Sequence, residues 1–148
     1  MRVVEALRRS GVAVGPDRTI RDAAMIMEQS GVGSLAVIEN DQLVGIVTDR
    51  DLVRRGVAMD IPSDARIDSV MSTPVITVDA DGDLHDTFAL FRTHPVRRLA
   101  VVRGEQFVGM ITIDDLVIDL AADLVDLSRP ITAEVLFAHR NSAPLATR

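Results

Sequence analysis

The residues best placed to do chemistry form two matched sets. Gly45, Thr48 and Asp51 stand in the run Leu43-Val44-Gly45-Ile46-Val47-Thr48-Asp49-Arg50-Asp51-Leu52. Gly109, Thr112 and Asp115 stand in Phe107-Val108-Gly109-Met110-Ile111-Thr112-Ile113-Asp114-Asp115-Leu116. In each set a hydroxyl precedes a carboxylate by three residues, where an apolar strand gives way to a helix. Thr-x-x-Asp at a helix start is a capping box, which needs no ligand. The same position exposes free backbone amides and the positive end of the helix dipole, which favour an anion such as phosphate. The two roles can coexist.

Composition narrows the chemistry further. The chain has 148 residues, no Cys and no Trp, and its sixteen basic residues are all Arg. Without Cys there is no thiol nucleophile, disulfide, Cys-ligated zinc or iron–sulfur cluster. Without Lys there is no Schiff base and no P-loop lysine, so any bound phosphate must be held by Arg, hydroxyls, amides or a helix end. A net charge of −6 argues against non-specific nucleic-acid binding. His85, His94 and His139 lie far apart and lack ligand spacing, so no metal site is expected. No nucleophile–base arrangement is visible, and no catalytic residue or cofactor is expected. The amino terminus lacks the apolar core of a signal peptide, and no stretch reaches the ~18 apolar residues of a membrane span. The expectation is a cytoplasmic protein with neither nucleic-acid nor membrane partners.

The elements that must position these residues repeat. Offsetting the chain by 64 aligns residues 3–53 with 67–117 without a gap, and fourteen of the 51 pairs are identical. Each copy reads as strand, helix, two strands and a second helix. The first strands carry Val12 and Val14, then Ile76 and Val78. Thr19 and Asp83 are the expected helix N-caps, with Asp22 and Asp86 three residues on. Strands Ser34–Ile38 and Leu43–Val47 flank a turn at Glu39-Asn40-Asp41-Gln42, and Arg98–Val102 and Phe107–Ile111 flank Arg103-Gly104-Glu105. Closing helices begin near Asp49 and Asp114, and His94-Pro95 ends a helix. The expected organisation is copy one at 3–56, a linker at 57–66, copy two at 67–127, and a short extra helix with a frayed tail at 128–148. A copy of about 50 residues builds little core alone. The two sheets should therefore pack copy to copy about a pseudo-twofold axis, giving two similar clefts.

These two runs, with Val32-Gly33-Ser34-Leu35-Ala36-Val37 and Val96-Arg97-Arg98-Leu99-Ala100-Val101, resemble CBS domains, named after cystathionine β-synthase. The resemblance covers residues 3–118. It implies an α/β (α+β) fold of two tandem β-α-β-β-α repeats packed through their sheets. It also implies a paired module that binds an adenosyl ligand: AMP, ADP, ATP or a relative. In such a module Asp51 and Asp115 would take the ribose hydroxyls, which an acceptor-only carboxylate suits. Thr48 and Thr112 would reach the α-phosphate, and small apolar residues around Val12, Val32 and Val96 would contact the base.

Arg97 and Arg98 open the strand that the resemblance places beside the phosphates. Arg50 sits at a helix N-terminus, where a cation opposes the dipole unless an anion is present. A solvated Arg50 paired with Asp49 or Asp51 accounts for it equally well. The copies differ here: Gly33-Ser34 replace Arg97-Arg98, and Ile113-Asp114 replace Asp49-Arg50. The clefts should be unequal in charge. The last helix carries Leu116, Val117, Leu120, Ala121, Leu124 and Leu127 at helical spacing. The resemblance implies flat homodimers, to which this stripe would contribute. The expected function is a non-catalytic regulatory sensor for an adenine nucleotide, acting on a regulated protein that the sequence does not identify. Its rivals are a ligand-free scaffold acting through its helical faces, and a fragment of an enzyme, for which a chain of this length leaves no room.

Overall fold

The computed structural model describes residues 1–8 and 10–140, the side chains of 132–140 excepted. The expected tail at 141–148 lies outside the described residues. The chain divides into two compact units, Met1–Ile113 and Asp114–Arg148, and each is described by itself.

The first unit holds two three-stranded sheets of the same construction. Strand β1 (Ala13–Val14) runs parallel to β2 (Ser34–Glu39), and helix α1 (Ile20–Ser30) makes the crossover that a parallel pair requires. β2 returns antiparallel as β3 (Gln42–Thr48) through Asn40 and Asp41, both at positive φ (49° and 61°), the backbone that a two-residue hairpin turn demands. Copy two repeats the design with β4 (Thr77–Asp79), α3 (Leu84–Thr93), β5 (Arg98–Arg103) and β6 (Gln106–Thr112). Here Gly104 takes the positive φ of the turn. Even the register irregularity recurs, between Val37 and Ile38 and again between Val101 and Val102. The middle strands read as unbroken apolar runs because both their faces are covered: Leu35, Ala36, Val37, Leu99, Ala100 and Val101 are all fully buried. The sheets meet along β3 and β6.

α1 starts as expected. Thr19 Oγ1 accepts from the Asp22 amide at 3.0 Å, and the Asp22 carboxylate accepts from the Thr19 amide at 3.2 Å. That backbone hydrogen bond holds the Asp22 carboxyl below the usual carboxylate range. α3 starts differently. The Asp83 carboxylate accepts from the His85 amide at 2.9 Å, and the Asp86 amide turns to the Asp83 carbonyl instead. Asp86 therefore does not close a box. His94 caps the C-terminus, just before Pro95.

The two copies exchange their opening turns. The 3-10 turn Val3–Ala6 sits on α3: the Val3 amide donates to the Gly82 carbonyl at 3.0 Å and the Leu84 amide to the Met1 carbonyl at 2.9 Å. The 3-10 turn Ile67–Ser69, which opens copy two, sits on α1: the Ile67 amide donates to the Arg18 carbonyl at 2.8 Å and the Ile20 amide to the Ala65 carbonyl at 2.9 Å. These pairs are related by the 64-residue offset, so the pseudo-twofold is written in backbone hydrogen bonds. Ile67 and Val70 thereby complete a core built from Ile20, Ala23, Met27, Leu35, Val37, Val47 and Leu52 of the other copy.

The segment 57–66 connects the two copies, and one sequence reading, the extra helix, needs revision. The stretch expected as a linker is strapped to α1: the Arg21 amide bonds the Ser63 carbonyl, and its guanidinium bonds the Ser63 hydroxyl at 2.8 Å. The second unit has no separate short helix at 128–137, because α4 (Ile113–Arg140) runs through Pro130. Ser128 and Pro130 mimic a helix start in sequence. The Ser128 hydroxyl instead donates back to the Val125 carbonyl at 2.7 Å, within the same helix, and Pro130 removes a single backbone donor.

Candidate functional site

The site begins at the end of β3. Its strand geometry carries Ile46 and Thr48 to one rim, and the chain then turns into α2 (Asp49–Asp51), a single turn continued by a π turn over Leu52–Gly56. The capping box expected at this point is present. Thr48 Oγ1 accepts from the Asp51 amide, and Asp51 Oδ2 accepts from the Thr48 amide, both at 3.0 Å. The Asp49 amide bonds the Gly33 carbonyl at 3.0 Å, and at the matching point of copy two the Ile113 amide bonds the Arg97 carbonyl at 3.0 Å.

The facing wall comes from the other copy. Residues 71–72 run beside β3, with the Ser72 amide donating to the Ile46 carbonyl at 2.7 Å and the Ile46 amide to the Ser72 carbonyl at 3.1 Å. This strap explains the glycine of the first motif: a Cβ on Gly45 would lie 2.5 Å from the Met71 sulfur. Beyond Ser72 the chain turns through a cis Thr73–Pro74 peptide into Val75 and Ile76. Val96, Arg97 and Arg98 follow α3 and lead into β5.

Between these walls lies a cleft of about 230 Å³. Its apolar side is Ile46, Pro74, Val75, Ile76, Pro95 and Val96, and its polar side is Thr48, Arg50, Ser72, Arg97 and Arg98. Three arginines therefore line the cleft, together with the hydroxyls of Thr48 and Ser72. Arg98 leans across the copies. A Cβ on Gly33 would meet its Nη2 at 2.9 Å and the Asp49 carboxylate at 3.2 Å, so the absence of a side chain there gives the guanidinium its place. The cleft can hold a molecule with a flat apolar part and an anionic end.

Of the ten residues singled out from sequence, five line this cleft: Thr48, Arg50, Val96, Arg97 and Arg98. Four others of the first unit do not. Val12 and Val32 pack against the copy-one core. Asp51 stands behind Ser72, whose Oγ donates to both of its carboxylate oxygens at 3.2 Å. Thr112 ends β6, paired in register with Arg98. Asp115 lies in the first turn of α4, in the second unit. Ser72, Pro74 and Val75 escape the sequence reading, which takes Ile76 only as part of a strand, because only the exchanged connection brings that segment beside β3. Their one sequence signal is position: they open copy two, immediately before its first strand. Among the described residues no cluster of three or more His, Asp or Glu could hold a metal ion, and no helix is long and apolar enough to cross a membrane.

Comparison with known proteins agrees with this geometry. The CBS domain family model matches residues 3–58 and 67–122. The CBS domain-containing protein YhcV of Bacillus subtilis is 32% identical over 117 residues, covering 79% of this chain and 84% of that protein. The crystal structure of the CBS domain protein NE2398 superposes with a TM-score of 0.74 at 30% identity, over 82% of this chain and 98% of that one. The CBS domain protein PAE2072 of Pyrobaculum aerophilum, solved in complex with AMP, gives a TM-score of 0.72 at 27% identity, over 82% and 99% of the two chains.

Proposed function

This chain belongs to the CBS domain family, and we propose that it is a non-catalytic regulatory module that binds an adenine nucleotide in the cleft between its two copies. The observation that carries this reading is the pairing of an apolar wall with three arginines in one cleft. Val75, Ile76, Pro95 and Val96 suit an adenine ring, and Arg50, Arg97 and Arg98 suit its phosphates. Thr48 supplies a hydroxyl between the two. That PAE2072 was solved with AMP supports an adenosyl ligand for the family fold. Bound ligand touches both copies at once, so it favours whichever arrangement of the two it contacts better, and a regulated protein reads that arrangement.

The experiment is a thermal-shift series with AMP, ADP, ATP, GMP and S-adenosylmethionine. An adenine nucleotide raises Tm, as any ligand of the native state must, and Arg97→Ala with Arg98→Ala weakens the effect at low salt most of all. No shift from any adenosyl compound at millimolar concentration refutes the reading.

A second observation bears on assembly. On α4, Val117, Leu120, Leu124, Leu127 and Ile131 recur at alternating spacings of three and four and are 47–71% exposed. That is the a/d seam of a coiled coil, whose complement is another helix. We propose that two copies of the chain pair through it, since a twofold interface is self-complementary.

A further inference from the structure

We propose that copy two carries a separate ligand site, between α3, β4 and the opening turn, and that its ligand is a short amino alcohol. A cavity of about 240 Å³ lies there, many times the space one water requires. Its deep walls are Val3, Val78 and Thr87, all buried, and its rim is Asp79, Asp83 and Asp86, all exposed. Thr87 is 1% exposed, and among the described residues its Oγ1 is the one buried side-chain polar atom without a hydrogen-bond partner. A helical threonine can return its hydroxyl to the preceding turn, as Thr93 does to the Ala89 carbonyl at 2.9 Å, but Thr87 does not. Copy one needs neither this hydroxyl nor this space. The 64-residue offset sets Ala23 at the place of Thr87 and the larger Ile67 at that of Val3, and both are fully buried.

The chemistry of the occupant follows from these walls. The deep end is apolar apart from a hydroxyl that can both donate and accept, so it suits a short alkyl body that ends in a hydroxyl. The rim is anionic. Asp81, beside it, is engaged by Arg2 at 3.5 Å and by Arg103 at 2.9 Å, whereas Asp79, Asp83 and Asp86 form no ion pair among the described residues. Asp79 and Asp83 each spend one oxygen on a backbone amide at 2.9 Å, and Asp86, which closes no capping box, keeps both. An ammonium group suits such a rim. A bare metal ion does not, since no three carboxylates among the described residues stand close enough to hold one. Val3 belongs to copy one and the other walls to copy two, so a bound molecule bridges the copies and favours the arrangement it contacts better.

The test is an amide chemical-shift titration of the full chain with 3-amino-1-propanol, propylamine and 1-propanol. The amino alcohol gives saturable shifts at Val3, Val78 and residues 82–90, at concentrations about tenfold below either relative, the scale of one hydrogen bond. Thr87→Val binds the amino alcohol no better than propylamine, and it raises the Tm of the free protein because an unpartnered buried hydroxyl is gone. Val3→Ile, which gives copy two the residue of copy one, abolishes binding without lowering Tm. Asp86→Asn weakens both amines and leaves 1-propanol unaffected. No saturable shift at these residues from any of the three compounds leaves the cavity to water and overturns the proposal. An affinity for the amino alcohol no better than for either relative overturns it too, as does undiminished binding by Thr87→Val or Val3→Ile. So does a Tm lowered by Thr87→Val, which would show that the hydroxyl already has a partner within the protein.

Discussion

The exchange of opening turns predicts that a residue of copy two stabilises the helix of copy one. Ile67 is fully buried, and its neighbours in that core are Ile20, Ala23, Met27 and Leu52 of the other copy. Truncating a buried Ile to Ala costs about 2–5 kcal/mol, the upper part applying where surrounding walls cannot collapse. Here the walls are a sheet and a capped helix, so Ile67→Ala should cost about 3 kcal/mol or more. At this chain length that lowers Tm by roughly 10 °C. Urea unfolding gives the free energy, and native-state hydrogen exchange gives its location. In Ile67→Ala the amides of α1 exchange faster while those of α3 hold. In Val3→Ala, the counterpart 64 residues earlier, α3 loosens and α1 holds, with a smaller loss because fewer methylenes are removed. If Ile67→Ala loosened α3 and spared α1, each copy would be folding on its own opening turn and the exchange would be wrong.

Other perturbations probe the site, the helix caps and the seam. Gly33→Val places a side chain where the Arg98 guanidinium and the Asp49 carboxylate now lie, so nucleotide affinity and its salt dependence should fall while Tm of the free protein changes little. A thermal-shift titration at two salt concentrations checks this, and an unchanged salt slope would show that Arg98 meets no phosphate. The Asp22 carboxyl is depressed by the Thr19 backbone hydrogen bond, so its contribution is present above the unfolded carboxyl pKa of about 3.9 and disappears as pH falls through the lower folded value. Asp22→Asn should therefore flatten the acid limb of a stability–pH curve below about pH 4, and leave its slope near neutrality alone. Leu124→Asp, at an exposed seam position of α4, should shift sedimentation equilibrium from dimer to monomer with the nucleotide response retained. A wild-type monomer at all concentrations would remove the proposed pairing.

The parts of this molecule legible in the sequence are those that depend on local periodicity and on the repeat. Strands β2, β3, β5 and β6 fall within one residue of their expected limits, because alternation and turn residues act over a few positions. The Thr48–Asp51 box was readable for the same reason. What could not be read is where an opening segment goes. The 64-residue offset aligns Ile67 with Val3 but does not say which helix each covers. Ser72 was hidden by that ambiguity, and its offset partner Arg8 drew no attention to it. Pro130 misled because Ser-x-Pro is a local start signal, whereas twenty-eight residues of helix outweigh one missing donor.

The central claim is that the cleft between β3 and the 71–76 and 95–98 segments holds an adenine nucleotide. Amide chemical-shift mapping of the full chain during an AMP titration tests it most directly. The account predicts saturable shifts concentrated at Ile46–Arg50, Ser72–Ile76 and Val96–Arg98, absent when Arg97 and Arg98 are both replaced by Ala. Saturable shifts confined to other surfaces, or none at millimolar AMP, ADP and ATP, would contradict it.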